Sequence, residues 1–495
     1  MASVSALALL TAGAPVRALQ LATMRGGGAV AAQAAAAAAM ASVQQAQQAT
    51  QQSMSSLLRA TQAIQAMQQT QAAARALAQK TPSNVRNGLT TGGLQVAPGI
   101  GTDPSLWQNA NLPSQNVSDG QTTVTIQQTA QKAILTWSKF NVGQQTTVYF
   151  NQSAGNTSTG NDWIALNRVI DPSGVPSQIL GQIKAEGTVY IINQNGVIFG
   201  GASQVNVNSL LVSSLPFLGD PANLSSMTPG SAAYDAAVQI GNSNFLNLGL
   251  TGLAPGVPFL GSQSASLSDV QSYGNITVDV GAQIEVGGLG YAMLAAPNVS
   301  NAGTILAPDG QVILAAGMQV ILAVPQGDTS NSWLSPALIG PDGAGIPVFT
   351  ATNTGLIQAT TGNVTILGAA ISQAGVVAVT TSITRPGEID LTAADEGLDA
   401  GFASAVRTGP LVFVPGSVTA VLPDEDGETT TSDQAANTSF TPGKIKLAGG
   451  EVIFDNGSLM EAPGAAVTIL AQAGEAGAVT VNGDVPAASM STTGR

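Results

Sequence analysis

The sequence contains no cysteine and no histidine, and each absence excludes a class of site. Without cysteine the chain has no disulfide, no thiol nucleophile and no thiolate metal ligand. Without histidine it has no imidazole ligand and no side chain whose unperturbed pKa lies near neutral pH. The lack of disulfides suits a protein that is exported unfolded, because no cross-link can lock it folded in an oxidising compartment.

Charged and aromatic residues are also scarce. Of the 495 residues, 9% are charged and 4% are aromatic, whereas 57 are glycine. This composition is unlike that of an ordinary globular enzyme or a charge-rich disordered chain, and it favours a repetitive, β-rich protein. The net charge of -13 opposes nucleic-acid binding, which depends on clustered Lys and Arg. We therefore expect no nucleic-acid partner.

Residues 1–18 have the pattern of a secretory signal peptide. The apolar stretch Val4–Leu10 is followed by Gly13, Pro15 and a small-residue end at Ala18. No Lys or Arg precedes the apolar stretch, so we expect the biological start to lie upstream; an ordinary apolar helix is the alternative. No later segment reaches the roughly 18 to 20 uninterrupted apolar residues of a membrane span, and we expect none.

Residues 29–81 predict one long helix. The segment consists almost entirely of Ala, Gln, Ser, Thr and Met, without Gly or Pro, and Ala, Gln and Met favour helices. Pro82 ends the helix because proline disfavours helical backbone in the residue before it. A thin apolar stripe predicts packing on a partner helix or on the same domain, with a solvated, partly frayed helix as the alternative. The stripe consists of Met54, Leu57, Ile64 and Met67.

After Asn87 the sequence changes to short β-branched segments bounded by Gly and Asn, and we expect no return of helical periodicity. The segments "GTILAPDGQVILAAG", from Gly303, and "GLIQATTGNVTILGA", from Gly355, are internal copies, and a looser copy starts at Gly457. Copies of this length indicate stacked units, each with two short strands and a Gly-marked corner. Stacking at about 4.8 Å pairs each strand with its equivalents and aligns residues such as Asn into ladders.

The predicted fold class is therefore all-β, a right-handed parallel β-helix (solenoid) preceded by the Ala/Gln-rich α-helix. Two segments interrupt the copies, Gln326–Ile346 and Pro423–Pro442. We expect them to be loops or small excursions from the stack.

Parallel β-helices include carbohydrate-cleaving enzymes, which use paired carboxylates as acid and base. Here Asp162, Asp171 and Asp279 share no spacing, so each is interpreted as a solvated or turn-capping residue. One acidic cluster, in "PDEDGE", begins like a calcium loop but lacks its remaining ligand positions, which favours an acidic loop over a metal site. We expect no catalytic residue, metal or cofactor, with a β-helical polysaccharide-active enzyme as the alternative. The cluster consists of Asp424, Glu425, Asp426 and Glu428.

Five ordered landmarks lie between Gly92 and Leu215: "QKAILTWSKFNVG", "TTVYFNQ", "IALNRV", "SQILGQIKA" and "VYIINQNGVIFGGASQVNVNSLLVSSL". In this order they resemble the haemagglutination-activity, or secretion, domain of the filamentous haemagglutinin family, the exoproteins of two-partner secretion. Later segments such as "GYAMLAAPNVSNAGTILAPDGQVILAAG" resemble the family's continuation beyond that domain. The resemblance implies a secretion domain over residues 88–320 and a continuing β-helix with loop insertions over residues 321–495.

The resemblance also implies a motif that a partner transporter recognises. The family usually has Asn-Pro-Asn-Gly where this chain has Asn-Gln-Asn-Gly, so the rigid proline is lost. A tight turn explains the final Asn-Gly by itself, since Gly has no Cβ and Asn tolerates positive φ. We expect the corner to shape the domain, and the domain's shape or the unfolded motif to be what the transporter recognises. The implied site comprises Asn193, Gln194, Asn195, Gly196, Phe199, Asn167 and Arg168.

The implied function is that of an exported protein. The signal peptide would take the chain into the periplasm, and an outer-membrane β-barrel transporter would pass it outward unfolded. The protein would then be secreted, or held at the surface of a Gram-negative bacterium, as an adhesin or the stalk of one. Its receptor would lie on a host or neighbouring cell, with a glycan as one candidate. The carrier portion of a contact-dependent toxin is a further alternative.

Overall fold

The computed structural model describes most of the chain after residue 27. Two predictions lie outside the described residues, the signal peptide at residues 1–18 and the acidic cluster at residues 424–428. The chain divides into two units, residues 1–55 and residues 56–495. The described ranges are 28–157, 160–247, 259–261, 269, 272–323, 334–341, 348–382, 385–398, 405–423, 442–463, 465–471, 478–481 and 490–492.

Helix α1 begins at Gly28 and ends at Lys80, which confirms the predicted N-terminal helix. In the first unit, the side chain of Met54 is exposed. In the second unit, Ile64 and Met67 are partly buried against β-strands of the same unit. This part of the apolar stripe therefore packs on the protein's own domain. Among the described residues, no helix combines the length and apolar character that membrane crossing demands.

Three stacked sheets confirm the predicted parallel β-helix. One coil runs from Thr188–Asn193 in sheet 1 through Val197–Phe199 in sheet 2 to Gln204–Val207 in sheet 3. The chain then returns to sheet 1 at Ser209–Ser213, which pairs in parallel with Thr188–Asn193. Each strand is thus followed along the chain by a strand of the next sheet, as expected of a solenoid.

The strands of the three sheets are short and follow the coils in order. The main path of sheet 1 contains Leu94–Val96, Lys132–Phe140, Ile164–Val169, Thr188–Asn193, Ser209–Ser213, Tyr291–Ala296, Gln311–Ala316, Asn363–Gly368, Glu388–Leu398, Lys444–Gly449, Ala466–Ala471 and Met490–Thr492; its side branches are Trp107–Gln108, Gln319–Ala323, Ser335–Pro341 and Ala405–Thr408. Sheet 2 contains Ser177–Ile179, Val197–Phe199, Ile276–Val278, Val299–Asn301, Thr350–Asn353, Ala370–Gln373, Pro410–Phe413, Glu451–Phe454 and Ala478–Val481. Sheet 3 contains Ser114–Ser118, Gln121–Gln127, Thr146–Asn151, Gln182–Ala185, Gln204–Val207, Gln283–Val286, Thr304–Leu306, Leu356–Ala359, Val376–Thr381, Val418–Pro423 and Leu459–Glu461. A separate two-stranded sheet joins Asn156–Thr157 to Gly160–Asn161.

The internal copies lie directly on top of each other. Thr304 pairs with Leu356 in sheet 3, so the copies that start at Gly303 and Gly355 are in register. The predicted amide ladder is also present. Asn301 Nδ2 donates to Asn353 Oδ1 at 2.8 Å, and Asn353 Nδ2 donates to Gln373 Oε1 at 2.9 Å. These buried amides satisfy one another along the stack, as buried polar groups must.

Part of the Gln326–Ile346 interruption is a strand. Ser335–Pro341 pairs antiparallel with Gln319–Ala323 and forms a hairpin outside the coils. The Pro423–Pro442 interruption lies almost entirely outside the described residues.

A second helix contradicts the expectation that helical periodicity ends at Asn87. Helix α2, Ala232–Asn247, lies in an insertion of residues 214–275 between Ser209–Ser213 and Ile276–Val278. Its buried apolar residues, Tyr234, Val238 and Phe245, recur at helical spacing, but the face is short and surrounded by Gly, Ser and Asn. The insertion also contains a 3₁₀ turn at Leu224–Ser226, and another such turn lies at Ser153–Gly155.

The insertion covers part of the outer face of sheet 1. Tyr190 on that face contacts Phe217 of the insertion edge to face, with ring centroids 5.8 Å apart, and Phe217 contacts Phe245 of α2 at 5.9 Å. Side chains alternate along a strand, so the other face of sheet 1 points into the solenoid. In Ile164–Val169, Ala165 and Val169 are therefore part of the interior core. Arg168 alternates with them and lies beneath the insertion.

Candidate functional site

The four-residue motif forms a tight turn at the end of a buried strand. The backbone N–H of Asn195 donates to the Asn193 side-chain oxygen at 3.0 Å, and the N–H of Gly196 donates to the Asn193 carbonyl at 2.8 Å. Gly196 has φ +92°, and a Cβ at this position would overlap the Asn275 carbonyl oxygen. Both the backbone conformation and the lack of space require glycine here. The predicted turn at Asn195-Gly196 is therefore confirmed.

The two asparagine side chains connect the turn to the preceding coil. Asn193 Nδ2 donates to Ser177 Oγ at 2.9 Å, and Asn195 Nδ2 donates to the Asp171 carbonyl at 2.6 Å. Asn193 is 1% exposed and Asn195 is 9% exposed. In the folded protein these amides make buried hydrogen bonds and are not available at the surface.

Gln194 connects the same turn to the insertion. Its Nε2 donates to the Pro221 carbonyl at 2.8 Å, and its Oε1 accepts from the Ser225 N–H at 2.8 Å. The residue is 5% exposed. A proline at this position could make neither bond, because it has no side-chain amide. The departure from the family's motif thus coincides with a contact that needs glutamine.

Arg168 holds the insertion at a second point. Its Nε and Nη2 donate to the two carboxylate oxygens of Asp220, each at 3.0 Å, and its Nη1 donates to Asn242 Oδ1 at 2.8 Å. Burial raises the pKa of the Asp220 carboxyl, and the attraction of Arg168 opposes that shift. Burial also disfavours the charged guanidinium, but the attraction of Asp220 raises the pKa of Arg168 overall. A Cβ on Gly241 of α2 would overlap Asp220 Oδ1, so this glycine makes room for the ion pair.

The last two site residues lie inside the solenoid. Asn167 Oδ1 accepts a hydrogen bond from Trp137 Nε1 at 3.0 Å, and Asn167 Nδ2 donates to the Tyr190 carbonyl at 3.1 Å. Phe199 is fully buried in the interior core. The structure therefore brings the motif and Arg168 together through the insertion, whereas Asn167 and Phe199 belong to the core.

Several residues that complete the site are absent from the sequence-based prediction. Asp220 and Pro221, adjacent in the chain, bind Arg168 and the motif respectively. Asn242 and Ser225 also come from the insertion. No spacing in the sequence relates these residues to the motif, because the contact depends on how the insertion folds back over sheet 1.

The scattered acids keep separate surroundings. Asp171 forms an ion pair with Lys139 at 3.0 Å. Although burial acts in the other direction, hydrogen bonds from Ser173 and the contact with Lys139 lower the pKa of Asp171. Asp162 accepts a hydrogen bond from the Gln131 side chain, and partial burial raises the pKa of Asp279. These three acids do not form a pair.

Two carboxylates lie close together although the sequence does not predict it. Asp103 and Asp235, the latter in the first turn of α2, line one surface cleft. The Ser105 N–H donates to Asp103 Oδ1 at 2.8 Å, and Ser105 Oγ donates to Asp235 Oδ1 at 3.3 Å. Partial desolvation and the neighbouring Asp103 raise the pKa of Asp235. Among the residues that the structure describes, no group of three or more acidic side chains converges on one point.

Comparisons with known proteins match the N-terminal part of the β-helix. A family model described as the TPS secretion domain matches residues 99–224. A heme/hemopexin-binding protein of Haemophilus influenzae is 40% identical over 88 residues, which are 18% of this chain and 9% of that protein. The protein of the same name from the Haemophilus influenzae strain KW20 is 37% identical over 95 residues, 19% of this chain and 10% of that protein. The chain therefore matches about a tenth of the length of these relatives.

A solved structure was also found. It is the crystal structure of the HMW1 secretion domain from Haemophilus influenzae, with 19% identity and a TM-score of 0.44 over 78% of this chain and 100% of that chain.

Proposed function

We propose, from the premise that this chain is a two-partner secretion exoprotein with a TPS secretion domain at residues 99–224, that its Asn-Gln-Asn-Gly motif directs export. A partner outer-membrane β-barrel transporter recognises the secretion domain in the periplasm of a Gram-negative bacterium. The chain then crosses the outer membrane unfolded and forms its β-helix outside. We keep residues 88–320 as the proposed extent of the secretion domain and residues 321–495 as the continuing stack.

The burial of the motif supports recognition before folding. Asn193, Gln194 and Asn195 are at most 9% exposed, and the side chain of each donates a hydrogen bond to another residue of the protein. A transporter could contact these side chains only in a chain whose coils have not yet assembled. This single observation favours the unfolded motif over the shape of the folded domain as the element recognised.

The exported protein would act as an adhesin or as the stalk of one. The resemblance to filamentous haemagglutinins supports this role, and so does the series of in-register coils, a scaffold on which loops and hairpins such as Gln319–Pro341 are displayed. The receptor would be a molecule on a host or neighbouring cell, with a glycan as one candidate.

The Asp103–Asp235 pair favours a second candidate, a polysaccharide-active enzyme. Paired carboxyls serve as acid and base in glycosidases. We nevertheless expect no hydrolase activity, because both carboxyls are held by Ser105, Asp103 through its backbone N–H and Asp235 through its hydroxyl. Incubation of the purified chain with bacterial and host polysaccharides tests this. Cleavage that is lost in Asp235→Asn would establish the enzyme instead.

The export proposal requires an experiment that separates recognition from stability. We compare Asn193→Ala with Val212→Ala, a fully buried core residue of the next sheet 1 strand that takes no part in the motif. Asn193→Ala leaves two buried partners unsatisfied, and Val212→Ala opens a small cavity, so each should cost about 2 kcal/mol of unfolding free energy. Urea unfolding of the purified proteins verifies that the two variants are matched.

Each variant is co-expressed with the partner transporter, and protein outside the cells is compared with protein in the periplasm. We expect Asn193→Ala to lower export about tenfold, the effect of roughly 1.4 kcal/mol of lost binding. Val212→Ala should be exported normally, since a chain that crosses unfolded does not need native stability. Equal export of the two matched variants would mean that the motif is structural only.

A further inference from the structure

The second half of α1 lies along sheet 3 and begins its contacts at the first coils. Gln144 Nε2, just before the Thr146–Asn151 strand, donates to the Ala78 carbonyl at 2.9 Å. Further along the helix, Arg75 Nε donates to the Gly281 carbonyl at 2.7 Å, and the Gly281 N–H donates to Gln71 Oε1 at 2.7 Å. The C-terminal end of the helix is therefore fixed to coils that belong to the early part of the stack.

The other end of this helical segment contacts the late coils. Ala60 is fully buried, and Ile64 and Met67 pack beside it. Ser56 donates a hydrogen bond to the Glu461 carboxyl, which Arg59 also attracts. The strand residues that form the apolar contact surface are Leu356, Val376, Ala378, Val418, Ala420 and Leu459.

The length of the helix matches the height of the stack that it crosses. From residue 56 to residue 80 an α-helix rises about 36 Å at 1.5 Å per residue. Nine strands of sheet 3, from Thr146–Asn151 to Leu459–Glu461, are stacked beside it. At about 4.8 Å per step they extend over about 38 Å. The segment therefore spans these nine strands from one end to the other.

The corners of two coils are shaped to admit the helix. Gly281 has φ +92°, and a Cβ there would lie 2.6 Å from the Arg75 backbone nitrogen. A Cβ on Gly201 would lie 3.1 Å from the Ala78 Cβ. Real Cβ atoms essentially never come as close as 2.6 Å, so a side chain at Gly281 would push the helix away, and one at Gly201 would be tight against it. The close approach indicates a specific interface rather than loose coverage.

The order of the chain gives this interface a consequence for folding. The helix precedes every coil in sequence, yet its Ser56–Met67 portion docks on coils formed by residues 356–461. Coils of a solenoid contact mainly their neighbours, so the helix adds a direct tie between late coils and early ones. We propose that Ser56–Lys80 is a clasp that closes after the coils of residues 356–461 have formed, joining these late coils to the first coils and holding the stack between them together.

The clasp goes beyond the export proposal, since it concerns how distant coils are held together and not how the transporter recognises the chain. Until the late coils form, the apolar surface on sheet 3 does not exist and residues 56–67 have nothing to pack on. A lone helix with few apolar residues is marginal in water, so this portion gains its stability from docking. Docking of the helix therefore couples it to the late coils in one cooperative unit.

Hydrogen exchange of the unaltered full chain tests the coupling. We expect the amides of residues 56–67 and of residues 442–471 to exchange at one rate with the same urea dependence, as members of one unfolding unit. During refolding from urea, pulse labelling should protect both groups in the same phase, after residues 164–213. Protection of residues 56–67 together with residues 164–213, ahead of residues 442–471, would overturn the proposal.

A pair of matched variants provides the second test. Ala60→Arg places a charge in the buried interface, whereas Ala66→Arg makes the same change on the exposed side of the same helix. Ala60→Arg should speed exchange about tenfold or more both in residues 56–67 and in residues 442–471, while Ala66→Arg should change neither. Release of the helix without faster exchange in residues 442–471 would reduce α1 to a passive cover. If Ala60→Arg does not fold, the exchange pattern of the unaltered chain decides.

Discussion

Removal of Arg168 should destabilise the protein strongly, and the structure gives the size of the effect. The guanidinium makes a two-point ion pair with Asp220 and a third bond to Asn242, and both members of the pair are 1% exposed. Arg168→Met fills much of the same space but leaves the Asp220 carboxylate buried without a counter-charge. Breaking one partner of a buried pair costs about 3–5 kcal/mol. We expect a loss of that size in unfolding free energy.

The double variant Arg168→Met/Asp220→Leu tests whether the unpaired buried charge is the cause of the instability. With both charges removed, no desolvated charge is left behind, and apolar replacements of buried pairs are often neutral or stabilising. The double variant should therefore be more stable than either single variant. Lys139→Met is a control for the loss of a cation, because its pair with Asp171 leaves the Lys side chain 32% exposed. Such a partly exposed pair contributes about 0–1 kcal/mol.

Urea unfolding, followed by far-ultraviolet circular dichroism and tryptophan fluorescence, measures the unaltered protein, the double variant, and the single variants Arg168→Met, Asp220→Leu and Lys139→Met. A cost below about 1 kcal/mol for Arg168→Met would refute the claim that the ion pair anchors the insertion. So would a double variant as unstable as the sum of the two single changes. Export of a stable double variant then decides the role of Arg168 in recognition. Normal export makes the residue purely structural, and impaired export makes it part of the recognised motif.

Three further substitutions test other features of the fold. Gly196→Val should cost about 3 kcal/mol or more, because a β-branched residue is strained at φ +92° and its Cβ overlaps the Asn275 carbonyl; an unchanged urea midpoint would contradict the turn geometry. Gly241→Ala should destabilise the protein by about 1–3 kcal/mol, because the added Cβ overlaps Asp220. In an ordinary helix the same change is favourable by about 1 kcal/mol. A higher melting temperature would therefore show that Asp220 moves to relieve the overlap. Burial raises the folded-state pKa of Glu461, although the Ser56 hydrogen bond and the charge of Arg59 act to lower it. The stability that the protonated carboxyl contributes is therefore fully present below the unfolded pKa of about 4.3, and it is lost as pH rises through the folded pKa. Glu461→Gln should therefore raise the melting temperature at pH 7 more than at pH 4, and an equal shift at both pH values would contradict this.

The β-helix could be predicted because its determinants are local and repeated. Each coil carries its own corner glycine and its own β-branched strand residues, so the copies from Gly303 and Gly355 reveal the unit that stacks. The ladder from Asn301 to Gln373 follows from the same register. The turn at Asn195-Gly196 is equally local, since two residues suffice to specify its backbone.

The contacts of the insertion and of α1 could not be predicted in the same way. Arg168 finds Asp220 and Asn242 only when the described residues 214–247 of the insertion fold back over sheet 1, and nothing repeated in the sequence encodes that path. The docking of α1 depends on polar residues as well as on its apolar stripe. Gln71 and Arg75 bond to the backbone of a glycine corner, a partner that carries no side-chain signal.

Gln194 differs from a proline in when it stabilises the turn. A proline at this position would stiffen the turn in the unfolded chain as well as in the folded one. Glutamine leaves the unfolded segment pliable and acquires its two bonds only when Pro221 and Ser225 arrive with the insertion. The turn is thereby stabilised by a contact with the insertion instead of by the stiffness of a proline within the motif. Under the proposed export route, this arrangement would keep the motif accessible until export and bury it afterwards.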